Sequence, residues 1–254
     1  MFLAIDVGNT HIVLGVYNGD TLERHWRMQT DAERTVDEYG VMVRNLLAAL
    51  PEPKVSAIAV SSVVPPINRT IDNMCREYLG VTPLFVGPGV RTGMPILYDK
   101  PQEVGADRVV NAIAAYEKTK ATTIVVDFGT ATTFDYVSQK GEYVGGVIAP
   151  GLGIAAEALF ERAAKLYPVD FIKPKQVIGR NTVHAIQSGL YFGYVALVDG
   201  LVTRIEKEHR VKARIIATGG FAPLLAPASE TIEEVDEFLT LRGLRLIYER
   251  NVES

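Results

Sequence analysis

Apolar and polar residues alternate along the first 28 residues in a pattern that is typical of β-strands. Residues 2–7, 11–17 and 21–28 are predicted to form three strands. The second and third strands are joined at Asn18-Gly19, and Asn-Gly is the strongest short hairpin signal. The chain is therefore predicted to open with an antiparallel meander.

Helical spacing begins after this meander. Thr35 and Glu38 have the spacing of a capping box, and the apolar residues that follow predict a helix that stops before Pro51. Strands and helices then alternate, which indicates an α/β fold. The further predicted elements are a strand at 55–60, a helix from Pro65 to Gly80, a strand at 84–86, helices at 152–165 and 182–209, and a strand at 214–218.

The sequence pattern of the first meander occurs a second time at residues 122–151. Asp127 matches Asp6 at a distance of 121 residues, and Gly129 matches Gly8. A repeat of this length indicates duplicated domains rather than a solenoid. We predict domains at 1–112 and 113–254, each with a mixed sheet that opens in an antiparallel meander and is flanked by helices.

Composition narrows the classes of function. The 254 residues are 48% hydrophobic and 22% charged, as in an ordinary soluble globular chain. The 30 acidic and 26 basic residues include no run of Lys or Arg, which argues against binding to nucleic acid or to an anionic membrane. The single cysteine, Cys75, falls at an apolar position of a predicted helix, where we expect a small buried hydrophobic side chain.

The sequence also bears on location and on metal binding. The amino terminus lacks the basic region and cleavage site of a signal peptide, and the uncharged stretch 181–198 is amphipathic and short of a membrane span. We therefore expect a cytoplasmic protein. The four histidines show no metal-ligand spacing, so none is assigned to a metal.

Both copies of the repeat end a buried strand with Asp-x-Gly followed by hydroxyl residues. Glycine lets a phosphate approach the backbone, and successive amides form an anion-binding concavity. The carboxylates of Asp6 and Asp127 suit a phosphate that arrives with Mg²⁺. A single such turn is often purely structural, but two at matching points of a duplicated unit predict a nucleotide clamp.

Two further segments extend this prediction. Gly219-Gly220 follows a strand, where either an ordinary turn or close approach by adenosine explains the glycines. Asp107 lies in the first turn of a predicted helix, where it stabilises the helix dipole in the simplest interpretation. In the functional interpretation, that position keeps Asp107 ionised and fixed as a base for a hydroxyl proton, and Arg108 neutralises a substrate carboxylate.

The predicted helix at 182–209 has a long apolar face. Asn181 is a natural cap, and Gly189 and Gly193 allow a neighbouring backbone to come close. This pattern fits both a buried central helix and a subunit interface.

Five motifs in order along the chain resemble those of the type III pantothenate kinase family. The resemblance implies the duplicated fold of the acetate and sugar kinases, Hsp70 and actin. The motifs are Asp6-Val7-Gly8-Asn9-Thr10, Gly105-Ala106-Asp107-Arg108, Asp127-Phe128-Gly129-Thr130-Ala131-Thr132-Thr133, Gly145-Gly146 with Pro150-Gly151, and Gly179-Arg180-Asn181-Thr182.

The resemblance also implies a role for each motif. Asp107 is the implied general base, Asp6 places Mg²⁺, and Asp127 binds a monovalent cation, K⁺ or NH₄⁺. The implied chain is a homodimer with pantothenate close to the subunit interface. With the glycine segment above, the predicted ATP-binding residues are Asp6, Val7, Gly8, Asn9, Thr10, His11, Ile12, Val13, Gly129, Thr130, Gly219 and Gly220. The predicted pantothenate-binding residues are Tyr98, Gly105, Ala106, Asp107, Arg108 and Thr182.

The implied activity is ATP-dependent phosphorylation of pantothenate to 4'-phosphopantothenate, the first step of coenzyme A biosynthesis, supported by a monovalent cation. One alternative is another small-molecule kinase or phosphatase of the same fold, with a different acceptor pocket. A second alternative is a nucleotide-dependent regulatory or assembly protein, although 254 residues leave little room for the extra subdomains that such proteins carry.

Overall fold

Two five-stranded sheets organise the chain in the computed structural model, which describes residues 1–51 and 54–252. The chain divides into two compact units. The first combines Met1–Ala114 with Leu239–Ser254, and the second is Ala115–Phe238.

The sheet of the first unit has the order β3-β2-β1-β4-β5. The first three strands pair antiparallel, which confirms the predicted meander, and β4 and β5 are parallel to β1. The predicted strand at 55–60 begins and ends two residues later than expected. The strands are β1 Phe2–Val7, β2 His11–Asn18, β3 Thr21–Gln29, β4 Ala57–Ser62 and β5 Leu84–Phe85.

Helices α1 (Val36–Leu47) and α2 (Asn68–Leu79) share a core with one face of this sheet. The predicted capping box is present, because the Thr35 hydroxyl accepts from the Glu38 amide and the Glu38 carboxylate accepts from the Thr35 amide. Gly80 closes α2 with a left-handed φ of 68°, a conformation that glycine adopts freely. Helix α3 spans Ala106–Thr119.

The second unit repeats the arrangement with the order β10-β9-β6-β7-β8. Its strands are β6 Thr123–Phe128, β7 Ala131–Val137, β8 Tyr143–Pro150, β9 Arg214–Thr218 and β10 Glu234–Val235. Its helices are α4 Leu152–Arg162, α5 Thr182–His209 and α6 Ala222–Leu225. The predicted helix at 152–165 therefore ends three residues early.

Helix α5 carries much of the second core. Its inward side chains include Ile186, Tyr191 and Val198, and all three belong to the buried cluster on one face of the sheet. By length and composition α5 could also cross a membrane, although 50% of its most apolar window is buried within the structure.

Strand registers support the predicted duplication. Asp6 pairs with Val13 on β2, and Asp127 pairs with Thr133 on β7. The second strand of each meander then has a shift in its pairing register at the matching place, after Val16 in β2 and after Tyr136 in β7. Together with the identical strand order, these registers confirm the duplicated α/β fold.

The last helix, α7 (Leu239–Val252), belongs to the first unit, whereas the sequence-based division assigned residues 113–254 to the second. A β-carbon on Gly243 would lie 2.3 Å from the Val110 carbonyl oxygen, and Leu241 Cδ1 lies 2.6 Å from the corresponding position on Gly15. The glycines let α7 pack closely against α3 and β2. A single cut along the sequence could not describe a chain that returns to its first unit.

Candidate active site

The first candidate hairpin follows β1. Its turn is closed by the Gly8 amide, which donates to the His11 carbonyl at 3.0 Å. Asn9, Thr10 and His11 are exposed, whereas Asp6 is half-buried at the end of the strand. The turn therefore presents polar groups to solvent beside a carboxylate that the sheet holds in place.

Thr30, the residue after β3, fixes this turn from the side. Its hydroxyl donates to the Gly8 carbonyl at 2.6 Å, and its amide donates to the Thr10 carbonyl at 3.0 Å. Sequence reasoning missed Thr30. The available signal was the predicted β2–β3 hairpin, whose register places Gln29 opposite His11 and so brings Thr30 to the turn.

His11 is held toward its neutral form. Partial burial lowers the pKa of the imidazole below 6.5, and the nearby Arg27 guanidinium lowers it further. At neutral pH the exposed end of the first hairpin thus carries an uncharged imidazole.

The second candidate hairpin follows β6. The Gly129 amide donates to the Ala131 carbonyl at 3.1 Å, and Gly129 and Thr130 are exposed. Gly151, the residue after β8, packs against this turn so closely that a β-carbon on it would lie 2.1 Å from the Thr130 carbonyl oxygen. Only glycine fits at position 151.

Asp127 lies at the end of β6, next to the glycine segment that follows β9. Gly219 has a left-handed φ of 88°, and a β-carbon on it would lie 2.4 Å from Asp127 Oδ1 and 2.6 Å from the Phe128 carbonyl carbon. This packing alone requires glycine at position 219. Gly220 follows at the surface.

Asp107 lies in the first turn of α3. Its Oδ1 accepts from the Arg108 amide at 2.8 Å, and a β-carbon on Gly105 would lie only 2.5 Å from the same oxygen. Gly105 therefore leaves room for the carboxylate to fold back over the start of the helix. The adjacent Arg108 side chain is buried, and Ala106 is half-buried.

The electrostatic state of Asp107 differs from expectation. The helix start was expected to keep this carboxylate ionised, but burial raises its pKa above 3.8, although the Arg108 amide and guanidinium lower it. Desolvation outweighs the favourable partners. A raised pKa brings a carboxylate closer to the working range of a general base.

Val63 links the Asp107 turn to the first hairpin. Its amide donates to the Val7 carbonyl at 3.0 Å, and its Cγ1 lies 3.6 Å from the position of a β-carbon on Gly105. Within the first unit, the structure thus brings the end of β1 and the start of α3 to the same neighbourhood. Tyr98, another predicted site residue, is half-buried in the segment between β5 and α3.

Thr182 is the first residue of α5 and is exposed. Asn181 caps the helix, since its Oδ1 accepts from the His184 amide at 2.8 Å. A cavity of about 600 Å³ borders this helix start. Its polar lining comes from Arg180, Asn181 and Thr182, and its apolar lining includes Leu159 and Leu166.

The available donors suit Mg²⁺ better than a metal that needs an all-protein cage. Within residues 1–51 and 54–252, no three His, Cys, Asp or Glu residues cluster so as to hold a metal ion. Asp6 and Asp127 instead offer one hard oxygen ligand group each at a strand end. Mg²⁺ is typically held by one or two carboxylates together with waters and substrate phosphates, so these residues fit it.

Residues 2–204 match the family model of type III pantothenate kinase. The chain belongs to the type III pantothenate kinase family. It is 58% identical over 255 residues to the type III pantothenate kinase of Geobacter sulfurreducens, with 100% of both chains covered. It is 57% identical over 253 residues to that of Myxococcus xanthus, with 99% of both covered. The family model ends before Gly219, but these relatives extend through it.

Solved structures with low sequence identity share the fold. A conserved putative Baf family transcriptional activator from Campylobacter jejuni has a TM-score of 0.63 at 18% identity, covering 99% of this chain and 100% of its own. MreB 5 of Spiroplasma citri bound to AMPPNP has a TM-score of 0.58 at 10% identity, covering 99% and 98%. These likenesses support the expected acetate and sugar kinase, Hsp70 and actin fold for this member of the family.

Proposed function

We propose that the chain transfers the γ-phosphoryl group of ATP to the primary hydroxyl of pantothenate, which yields 4'-phosphopantothenate for coenzyme A biosynthesis. The observation that carries this proposal is membership of the type III pantothenate kinase family across residues 2–204. The structure supports it independently, because two acid-ended strands lead into glycine hairpins at equivalent registers.

The nucleotide is bound by backbone and hydroxyl groups of the two hairpins. Residues 6–13 hold the phosphates, with Asp6 as the carboxylate for Mg²⁺. The exposed Gly129 lets a phosphate approach the backbone, Thr130 adds a hydroxyl donor, and Gly219 and Gly220 bind the adenosine part. Mg²⁺ supplies charge neutralisation at the phosphates, and the chain supplies fixed dipoles where charge develops.

Asp107 accepts the hydroxyl proton of pantothenate. The new bond joins that oxygen to the γ-phosphorus, the bond from this phosphorus to the bridging oxygen breaks, and ADP leaves. The Arg108 amide fixes the carboxylate at 2.8 Å, and burial, which raises its pKa, strengthens it as a base. Pantothenate is held by residues 105–108, by Tyr98 and by Thr182, with its carboxylate offset by Arg108.

Asp127 binds K⁺ or NH₄⁺ in this proposal. A β-carbon on Gly219 would lie 2.4 Å from Asp127 Oδ1, so the carboxylate lies beside the glycine segment that follows β9. Carboxylate oxygens suit a weakly hydrated monovalent cation. The cation then offsets negative charge at the phosphates.

The proposal includes a homodimer formed through α5, and a cytoplasmic location, where ATP is available. Gly189, Gly193 and Gly200 are exposed on this helix, and a β-carbon at any of them would meet no described atom within 4 Å. Each glycine inside a helix costs about 1 kcal/mol relative to alanine. Packing among the described residues does not account for these glycines, but close approach of a second copy does.

The decisive experiment supplies ATP and Mg²⁺ with pantothenate, simple sugars or acetate, each in K⁺ and in Na⁺. Of these acceptors, we expect only pantothenate to give ADP release, and we expect this release to be faster in K⁺ than in Na⁺. Equal turnover with a sugar would favour another kinase of this fold. Nucleotide hydrolysis that no acceptor accelerates would favour a regulatory protein.

A further inference from the structure

Ser61 on β4 lies directly beside Asp6. The two strands are parallel, and Asp6 pairs with Ser61 in their register. Paired residues on neighbouring strands project to the same face, with backbones about 4.8 Å apart. The Ser61 hydroxyl therefore shares a face with the carboxylate that is proposed to place Mg²⁺.

This hydroxyl is buried and unused by the fold. Ser61 is 0% exposed, and among the residues that the structure describes its Oγ has no hydrogen-bond partner. A buried polar group without a partner destabilises the folded state, because it has lost its hydrogen bonds to water and gained none. Such a group in a native chain calls for an explanation, and a bound ligand is one.

The next residue provides a contrast. Ser62 projects to the opposite face, where its hydroxyl donates to Asn68 Oδ1 at 2.5 Å and accepts from the Val64 amide at 3.2 Å. The adjacent serines thus differ, because the Ser62 hydroxyl makes hydrogen bonds within the fold and the Ser61 hydroxyl makes none among the described residues.

The surroundings of Ser61 point to the phosphoryl-transfer site. Two residues further on, just after β4, Val63 Cγ1 lies 3.6 Å from the position of a β-carbon on Gly105, in the turn that carries Asp107. Ser61 is therefore paired with the carboxylate at the end of β1 and lies two residues before the residue that reaches the turn of the proposed base, within one unit of the chain.

We propose that Ser61 is a further positioning residue, whose hydroxyl hydrogen-bonds to a water of the Mg²⁺ shell held at Asp6. Mg²⁺ keeps several waters when it binds, and each water needs a partner. A neutral hydroxyl beside Asp6 supplies one without adding charge. The inference rests on the proposed function, since it requires a metal nucleotide at the first hairpin.

Calorimetric titration with AMPPNP, in Mg²⁺ and in EDTA, tests this inference without turnover. The ratio of the two affinities measures the contribution of the metal. We expect Ser61→Ala to lower this ratio about 3- to 10-fold, as for a lost hydrogen bond to a neutral partner, and to leave the affinity in EDTA unchanged. The matched control, Ser62→Ala, is expected to keep the parent ratio.

Thermal unfolding without ligand separates this role from a structural one. Removal of an unsatisfied hydroxyl should leave the melting temperature of Ser61→Ala at or above the parent value, whereas Ser62→Ala should melt lower. A Ser61→Ala protein that keeps the full Mg²⁺ ratio would overturn the inference, whether or not it melts lower. If the parent binds no AMPPNP in either condition, the proposed function fails and takes the inference with it. If Asp6→Asn keeps the parent ratio of affinities, Asp6 does not hold the Mg²⁺, and this result would also overturn the inference.

Discussion

Thr30 and Gly151 occupy equivalent positions in the two halves of the chain and support their hairpins in opposite ways. Each directly follows the third strand of its meander, since Gln29 pairs with His11 and Pro150 pairs with Ala131. Thr30 reaches the turn with its side chain and donates to the Gly8 carbonyl at 2.6 Å. Gly151 has no side chain and can therefore pack directly against the turn, where a β-carbon would lie 2.1 Å from the Thr130 carbonyl oxygen.

The turns themselves explain this difference. Three residues, 8–10, separate β1 from β2, whereas two residues, 129–130, separate β6 from β7. The longer turn leaves room for a buttressing side chain, and the shorter one brings the backbones into contact. Duplication has thus preserved the strand registers and the two aspartates, while the details around them have diverged enough to support different roles.

The largest expected effect concerns Asp107, which belongs to neither hairpin. Asp107→Asn removes the proposed proton acceptor but retains its shape, so we expect kcat to fall about 10² to 10⁴-fold with ATP binding nearly unchanged. Steady-state kinetics with pantothenate and calorimetric titration with AMPPNP check both parts. Turnover at the parent rate by a folded Asp107→Asn protein would show that the proton leaves by another route.

Gly151→Ala should break the second hairpin. The added carbon would overlap a backbone oxygen that cannot rotate away, so we expect a loss of about 3 kcal/mol or more in unfolding free energy. Urea denaturation measures it. Gly153→Ala is the matched control, because a β-carbon there would meet no described atom within 4 Å. Equal stability of the two variants would contradict the observed packing.

Substitution of the two strand-end aspartates should affect the response to different cations. We expect Asp6→Asn to raise the Mg²⁺ concentration for half-maximal activity about 10-fold or more, and Asp127→Asn to reduce activity in K⁺ to its level in Na⁺. Activity titrations with each cation in both variants measure the separation. An exchange of these phenotypes would reverse the proposed roles of the two hairpins.

Thr30→Val should weaken the first hairpin modestly. The change keeps the shape of the side chain but removes the hydrogen bond to Gly8, which contributes about 1 kcal/mol. Urea denaturation and the KM for ATP are the measurements, and we expect the KM to rise as the turn loosens. Thr30→Ser keeps the hydroxyl and should restore both values. If Thr30→Ser behaves like Thr30→Val, the hydrogen bond is not what supports the turn.

Local sequence features predicted the hairpins and the duplicated fold, because turn signals, strand patterns and the 121-residue repeat are all visible within short windows. Thr30 was missed although the register of the predicted β2–β3 hairpin carried its signal, whereas Ser61 and the return of α7 to the first unit were not predicted. The last two depend on which distant residues pair across a sheet or pack on a helix. That information is absent from local periodicity, and the ligand roles of the site residues remain predictions for the same reason.

The charge state of Asp107 was missed for a related physical cause. The sequence places it at a helix start, which favours the ionised form, but the tertiary structure partly buries it, and desolvation raises its pKa. In the second unit, Asp199 shows the reverse balance. Burial raises its pKa as well, but hydrogen bonds from Ser229, Glu230 and Thr231 outweigh burial and lower the pKa below 3.8.

These two aspartates should give stability profiles of opposite sign. The folded chain binds the Asp107 proton more tightly than the unfolded chain, so its ionisation costs stability as pH rises from about 3.8 through the raised pKa. Asp107→Asn, which does not titrate, should therefore melt above the parent at pH 7, and the gain should shrink as pH falls. Asp199 contributes stability that is present above 3.8 and is lost as pH falls through its lowered pKa. Asp199→Asn should accordingly melt below the parent at pH 7 and approach it in acid. Thermal melts from pH 7 to about pH 2 cover the range in which both contributions change, and a parallel response of the two variants would contradict this assignment of opposite electrostatic roles.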